Sequence, residues 1–309
     1  MFKINMKGLK NIISRLKDLV HKQDFIAYQL INLKYNQKRL YLEDKVLHSK
    51  EKGISEDLYC DKELIVSLTT YGRRLQDVCF TIESIMQQTL LPNKIVLNLN
   101  EKDKDNPLPI ALKKQVERGL TISWVKDIRS YTKLLPTLKK YPEAIIITID
   151  DDLLYDFDVV ERLFDSYLKN PKKISALRTH SLTFDKSGKL RGYQNWLWES
   201  GGAAKCSHIF ATGVGGVLYP PGSFSEEVFN EEVFTSICPT ADDVWFHAMA
   251  VLSGTEVVRV ESRSPKGQNY IINEEVQDMG LCQVNTGPDG ENDRQIKAVY
   301  SKYGIYDLL

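Results

Sequence analysis

An α/β fold on a mostly parallel sheet, with a helical appendage at its N-terminus, is what the sequence predicts. Three observations predict it. From residue 64 onward, short β-branched apolar runs alternate with amphipathic stretches across short links, the pattern of strands and crossover helices. One of the most apolar runs, "AIIITID" (144–150), ends on the carboxylates Asp150, Asp151 and Asp152, at the edge where open parallel sheets bind ligands. The first 60 residues instead repeat apolar side chains every three or four positions, the period of a helix.

Taken in order, Phe2, Met6, Leu9, Ile13, Leu16 and Val20 form a helical stripe that resumes at Ile26, Leu30, Leu33 and Leu40. Lys3, Lys7, Lys10, Arg15, Lys17 and Lys22 face only Asp18 in that span, so residues 1–22 have the character of a basic amphipathic helix suited to an anionic membrane surface. A helical hairpin packed on the main domain, or on a second subunit of a homo-oligomer, explains the same stripe. The polar run around Gly53 is a linker. The predicted organisation is a helical segment over 1–60 and one domain over 61–309, with a ligand-binding half near 61–156 and a second half near 157–309.

Strands are predicted at 64–71, 94–100, 120–125 and 144–150. The helices between them are 75–89, then 109–119 closed by Gly119, then 132–141 interrupted by Pro136. A helix over 157–171 follows, then irregular strands around "YQNWLWES", a Gly-rich "ATGVGG", a helix over 240–255 with Thr240 as N-cap, and a last strand at 256–261. The polar tail from about 264 closes over the domain or packs on its surface.

Lys+Arg and Asp+Glu both total 41, which argues against nucleic acid as a partner. There is no apolar run long enough to span a bilayer, and no short apolar core of a signal peptide, so the expectation is cytoplasmic, with the inner face of the cytoplasmic membrane as the peripheral alternative. Five scattered cysteines (Cys60, Cys79, Cys206, Cys238, Cys282), with no CxxC, indicate neither a disulfide scaffold nor a zinc site.

The chemistry-bearing residues gather at predicted strand ends. In an extended chain Asp150 and Asp152 point the same way, and paired carboxylates there hold a hard cation, Mn²⁺ or Mg²⁺, that relieves their repulsion and bridges a diphosphate. A solvated acidic turn is the plain alternative. Thr69, Tyr71 and Arg73 or Arg74 in "SLTTYGRRL" are candidates for nucleotide contacts, and so is Lys133 in "SYTKLLP". Asp242 and Asp243 open a helix whose start favours carboxylates; one caps while the other faces a pocket as base or charge stabiliser. Trp196 and Trp198 alternate and are candidates to stack on a sugar acceptor or to fill the core; Gly213 lets backbone approach a ligand or a neighbouring strand.

In "SLTTYGRRL", "TKLLPTLKKYPEAIIITIDDDLLYDFDVVERL", "ATGVGGVLYPPGSF" and "ADDVWFHAMA", over about residues 64–260, the chain resembles GT-A fold glycosyltransferases. The likeness is to bacterial capsule and lipopolysaccharide enzymes, heparosan-type α-N-acetylglucosaminyltransferases among them, and more distantly to exostosin-like transferases. The resemblance implies a Rossmann-like sheet with a DxD-type motif, in which Asp150 contacts the nucleotide and Asp152, alone or with Asp151, binds the metal; Asp151 is otherwise a further candidate for the nucleotide. It implies that Thr69, Tyr71, Arg73 and Lys133 line the nucleotide pocket, and that Asp243 or Asp242 faces the anomeric centre. Arg263 and Lys266 are its candidates for a late phosphate contact. The implied activity is transfer of a sugar, N-acetylglucosamine being the example, from a UDP-sugar to a glycan or lipid-linked acceptor in surface polysaccharide synthesis, tilted towards retention.

Two alternatives stand beside it. A sugar-nucleotide nucleotidyltransferase shares the fold but normally carries a Gly-rich basic loop after the first strand, where "TTYGRRL" is poor in Gly. A non-enzymatic, membrane-associated scaffold would use the basic N-terminal helix alone.

Overall fold

The computed structural model describes residues 6–200, 208–261, 269–272 and 290–309. Its strands are β1 (Leu64–Thr69), β2 (Lys94–Asn100), β3 (Leu120–Val125), β4 (Ile145–Thr148), β5 (Leu153–Tyr155), β6 (Ile174–Ala176), β7 (Thr179–Ser181), β8 (Ile209–Ala211), β9 (Val217–Tyr219), β10 (Val257–Arg259) and β11 (Tyr270–Ile272). Its α-helices are α1 (Met6–His48), α2 (Val78–Met86), α3 (Ile110–Glu117), α4 (Leu135–Lys140), α5 (Val159–Lys169), α6 (Glu231–Ile237), α7 (Asp242–Leu252) and α8 (Glu291–Tyr303).

Seven strands form the central sheet in the order β10–β6–β9–β4–β1–β2–β3. β1 pairs in parallel with β2 and β4, β2 with β3, and β6 with β10; β9 runs antiparallel between β4 and β6. The fold is therefore α/β, with a mostly parallel sheet flanked by helices. Residues alternate across it, which is why its inner strands read as nearly unbroken apolar runs. Leu64, Val66, Leu68, Ile145 and Ile147 face a core shared with α2, α5 and the end of α1. Ile65, Ile146 and Val96 face a second core shared with α4, α7 and α8.

β4 ends at Thr148, two residues before the expected end, and Asp151 and Asp152 occupy a turn. The two-residue alternation of a strand therefore does not set the directions of the three acids. Pro136 lies in the first turn of α4, where its missing N–H costs nothing, and interrupts no helix. Gly119, with φ 114°, closes α3 in a conformation other residues rarely adopt. The N-cap of α7 is Ala241, not Thr240; the carboxamide oxygen of Gln295 on α8 accepts from the N–H groups of both.

The N-terminal helices form no hairpin. α1 is one unbroken helix of 43 residues, roughly 65 Å long. Its last third docks on the domain through buried Tyr35, Leu42 and Val46, and Lys38 reaches the carbonyl of Tyr155 and the carboxylate of Asp156. Among the described residues no helix is long and apolar enough to cross a membrane.

Candidate active site

The order of the sheet places its switch point at β1, which has β4 on one side and β2 on the other, and ligands bind such sheets at the carboxyl ends of the strands there. A buried polar lattice fixes the floor of this edge. The Ser67 hydroxyl on β1 donates to the carbonyl of Lys133 at 2.7 Å and meets the Thr137 hydroxyl at 2.7 Å. The Asn98 amide on β2 donates to both hydroxyls, at 3.2 and 3.0 Å. The short 3-10 turn Arg129–Lys133 is thereby tied to two strands, and Lys133 is aimed at the end of a third.

Lys133 is 9% exposed. Its ammonium lies 3.4 Å from Asp150 after β4 and 3.2 Å from Asp242 at the start of α7. Burial works to lower its pKa, but the charges of Asp242, Asp150 and Asp243 outweigh burial and hold it well above the usual lysine value. Both oxygens of Asp243 accept the Gly213 N–H at 3.0 Å. Burial, reinforced by the neighbouring Asp242, pushes the Asp243 carboxyl up to about 7, against the opposing pull of Lys133 and the Gly213 N–H. Gly213 leaves room for these side chains: a Cβ there would lie 2.5 Å from the Lys133 nitrogen and 3.2 Å from an Asp243 oxygen, so the end of the lysine would have to shift.

A second cation lies on the other side of the acidic turn. Arg74, from the 3-10 turn Gly72–Gln76 after β1, meets Asp151 at 2.9 Å and Asp152 at 3.2 Å. Burial opposes its charge, but the two carboxylates prevail and raise its pKa. Asp151 is 7% exposed and also accepts from the Thr70 hydroxyl at 2.6 Å, while the Thr81 hydroxyl on α2 donates to its carbonyl. Burial nonetheless raises the Asp151 carboxyl, outweighing Arg74 and Thr70. The repulsion within the acidic triplet is thus relieved by two cations, Arg74 for Asp151 and Asp152, and Lys133 for Asp150.

The other candidates spread outward from this centre. Thr69 ends β1 with its hydroxyl donating to the carbonyl of Asn98. Tyr71 and Arg73 are exposed at the rim of the same edge. Trp196 is buried, with its indole N–H donating to the carbonyl of Arg191, whereas Trp198 keeps an exposed face and stacks on His180 at 5.0 Å. Arg263, Lys266, Cys206 and Cys282 lie outside the described residues. The part sequence reading missed is the pairing itself. Arg74 stood level with Arg73, and nothing joined Lys133 to Asp242, because contacts between residues far apart in the chain leave no local pattern.

Among the described residues, no three His, Cys, Asp or Glu side chains converge to hold a metal ion. Magnesium is commonly held by one or two carboxylates with substrate phosphates completing its shell, and the hard oxygens of Asp150 and Asp152 fit that role.

No family model matches the chain, and no curated protein matches it. Solved structures do. One is a CMP:2-keto-3-deoxy-manno-octonic acid synthetase complexed with CTP, at TM-score 0.38 and 10% identity over 65% of this chain and 90% of that one. Another is a UTP-bound UGPase from Acinetobacter baumannii, at 0.34 and 10% over 76% and 98%. A third is a 4-diphosphocytidyl-2C-methyl-D-erythritol synthase from Anaerococcus prevotii, at 0.41 and 13% over 72% and 96%. These are nucleotidyltransferases, and on that finding the glycosyltransferase expectation, with its retaining mechanism, is corrected. At such identities and TM-scores they assign no activity to this chain.

Proposed function

We propose that this protein is a nucleotidyltransferase that joins the nucleotidyl group of a nucleoside triphosphate to a phosphorylated sugar. The observation that carries the reading is Lys133: a buried ammonium, kept charged by three carboxylates, at the carboxyl edge of the sheet where β1 meets β4. The poverty of glycine after β1 is no obstacle, since one glycine, Gly72 with φ 57°, makes the turn and Arg74 supplies the buried basic group.

In this reaction a phosphate oxygen of the sugar bonds to the α-phosphorus as the α–β bridging P–O bond breaks, and pyrophosphate leaves. The nucleophile is already ionised, so the protein need not supply a base; it must supply position and positive charge. Lys133 stabilises the charge that grows on the α-phosphate oxygens. Asp242 and Asp243 hold that ammonium from behind, Asp243 being fixed by the Gly213 N–H. Arg74 and Thr70 lock Asp151, and with it the turn that presents Asp150 and Asp152. Asp150 and Asp152 would hold Mg²⁺ or Mn²⁺, which, when bound, neutralises charge on the triphosphate. Thr69, Tyr71 and Arg73 flank the nucleotide, and the exposed face of Trp198 is the candidate platform for the sugar.

The test is pyrophosphate release from a matrix of nucleoside triphosphates and sugar 1-phosphates with Mg²⁺. At least one pair is expected to turn over, and Lys133→Met or Asp152→Asn in a chain that keeps its circular dichroism should slow that pair by on the order of 100-fold. Release from no pair, together with no calorimetric binding of any triphosphate, would reject the reading.

A further inference from the structure

From the sequence and exposure of α1 we infer that this protein self-associates through a parallel two-stranded coiled coil, with a second copy of the same chain as its partner. Written in heptads, α1 places Leu9, Leu16, Gln23, Leu30 and Gln37 at one set of seam positions and Ile12, Leu19, Ile26, Leu33 and Leu40 at the other. Eight of these ten residues are apolar over nearly five heptads, a run that marks coiled coils. No Gly or Pro interrupts it between residues 9 and 52.

From Leu16 onward the structure leaves this seam uncovered. Leu16, Leu19, Ile26, Leu30, Leu33 and Leu40 are 53 to 67% exposed, and Gln23 and Gln37 are exposed as well. The face that docks on the domain is a different one. Two residues along a helix are about 200° of rotation, so buried Tyr35 and Leu42 lie nearly opposite Leu33 and Leu40. The domain therefore holds the end of α1 without masking the seam.

Period and area both favour a helix as the occupant. On a straight helix a seven-residue repeat drifts by about 20° per heptad, so a flat lipid surface cannot follow it, whereas a partner helix does so by supercoiling. Burying a Leu or Ile side chain covers on the order of 100 Å². Eight such residues bring the seam to the roughly 800 Å² per partner of a stable interface. In a parallel, in-register pair Gln23 meets Gln23 and Gln37 meets Gln37, the polar seam contact that fixes register. Flanking positions next to the seam hold Arg15, Val20, Lys22, Ala27, Gln29 and Lys34, which in that register set no two like charges against each other.

The experiment is sedimentation equilibrium of the full chain, with and without Leu19→Glu and Leu30→Glu together. The intact chain is expected at twice its 35.4 kDa, and the double variant at 35.4 kDa with unchanged circular dichroism. A chain that is monomeric on its own, or a dimer the double variant leaves intact, would overturn the inference. So would a monomer that partitions onto anionic phosphatidylserine vesicles, which would assign the apolar face to lipid. Gln37→Cys with a short bismaleimide gives a second reading that needs no destabilising change. It cross-links copies in the parallel register above the level of the unsubstituted chain, and a dimer without that cross-link would rule the parallel register out.

Discussion

Lys133 faces the charges of Asp150, Asp242 and Asp243 with little exposure to water, so a small change there has a readable consequence. Gly213→Ala places a methyl group against the Lys133 ammonium. The lysine must move or its Asp243 partner must, and nucleotidyl transfer should fall at least tenfold while thermal stability changes little; parallel kinetics and melting curves check this. Asp243 gives a prediction in pH. Its folded value of about 7 lies above the ordinary 3.8, so between those values the folded state binds more protons than the unfolded one. This group's contribution to stability therefore declines as pH rises through that window and is level above it. Asp243→Asn should remove that decline, so that denaturant midpoints of variant and parent diverge with pH between 4 and 7 and run parallel above it. At this scale the sequence was legible where residues are neighbours in the chain. The acidic triplet after β4 could be read directly, while the division of its charge between Arg74 and Lys133 could not, since both partners come from other strands' loops.

The elements are held by similar balances. Glu83 on α2 is fully buried, and Arg118 after α3 meets its two oxygens at 2.8 and 2.9 Å, with the Gln115 amide donating at 3.0 Å. Arg118→Met leaves a carboxylate in the core without its cation. A loss of about 3–5 kcal/mol is expected by chemical denaturation, and Glu83→Gln combined with Arg118→Met should recover part of it. Helix and strand boundaries followed the apolar period closely where that period is strong: β2 and β3 occupy the residues their patterns predict. They slipped where a contact between distant segments decides the end, as at α7, where Gln295 on α8 accepts from the N–H groups of Thr240 and Ala241 just before the helix and Thr240 does not cap it. α1 is the instructive case. A hairpin needs turn residues, and the absence of Gly and Pro from residue 9 to 52 was a readable sign of one continuous helix.

At the scale of the whole molecule, the alternation of strands and helices specified the α/β class because each layer has its own period, and the switch point then located the candidate site. Chemistry is a different matter. The same sheet edge with the same acids serves attack at a sugar carbon or at a phosphorus, and fold class does not separate the two. The resemblance to glycosyltransferases rests on motifs that in those enzymes position a nucleotide diphosphate, a group that the product of a nucleotidyltransferase also carries. The two reactions differ in which bond breaks. Phosphorus NMR of the protein with a nucleotide sugar, pyrophosphate and Mg²⁺ reads it directly, using the sugar nucleotide formed by the active pair of the pyrophosphate-release matrix. Nucleoside triphosphate and sugar phosphate signals are expected to grow together, and Lys133→Met to suppress both. Release of free nucleoside diphosphate, with no triphosphate formed, would rule nucleotidyl transfer out.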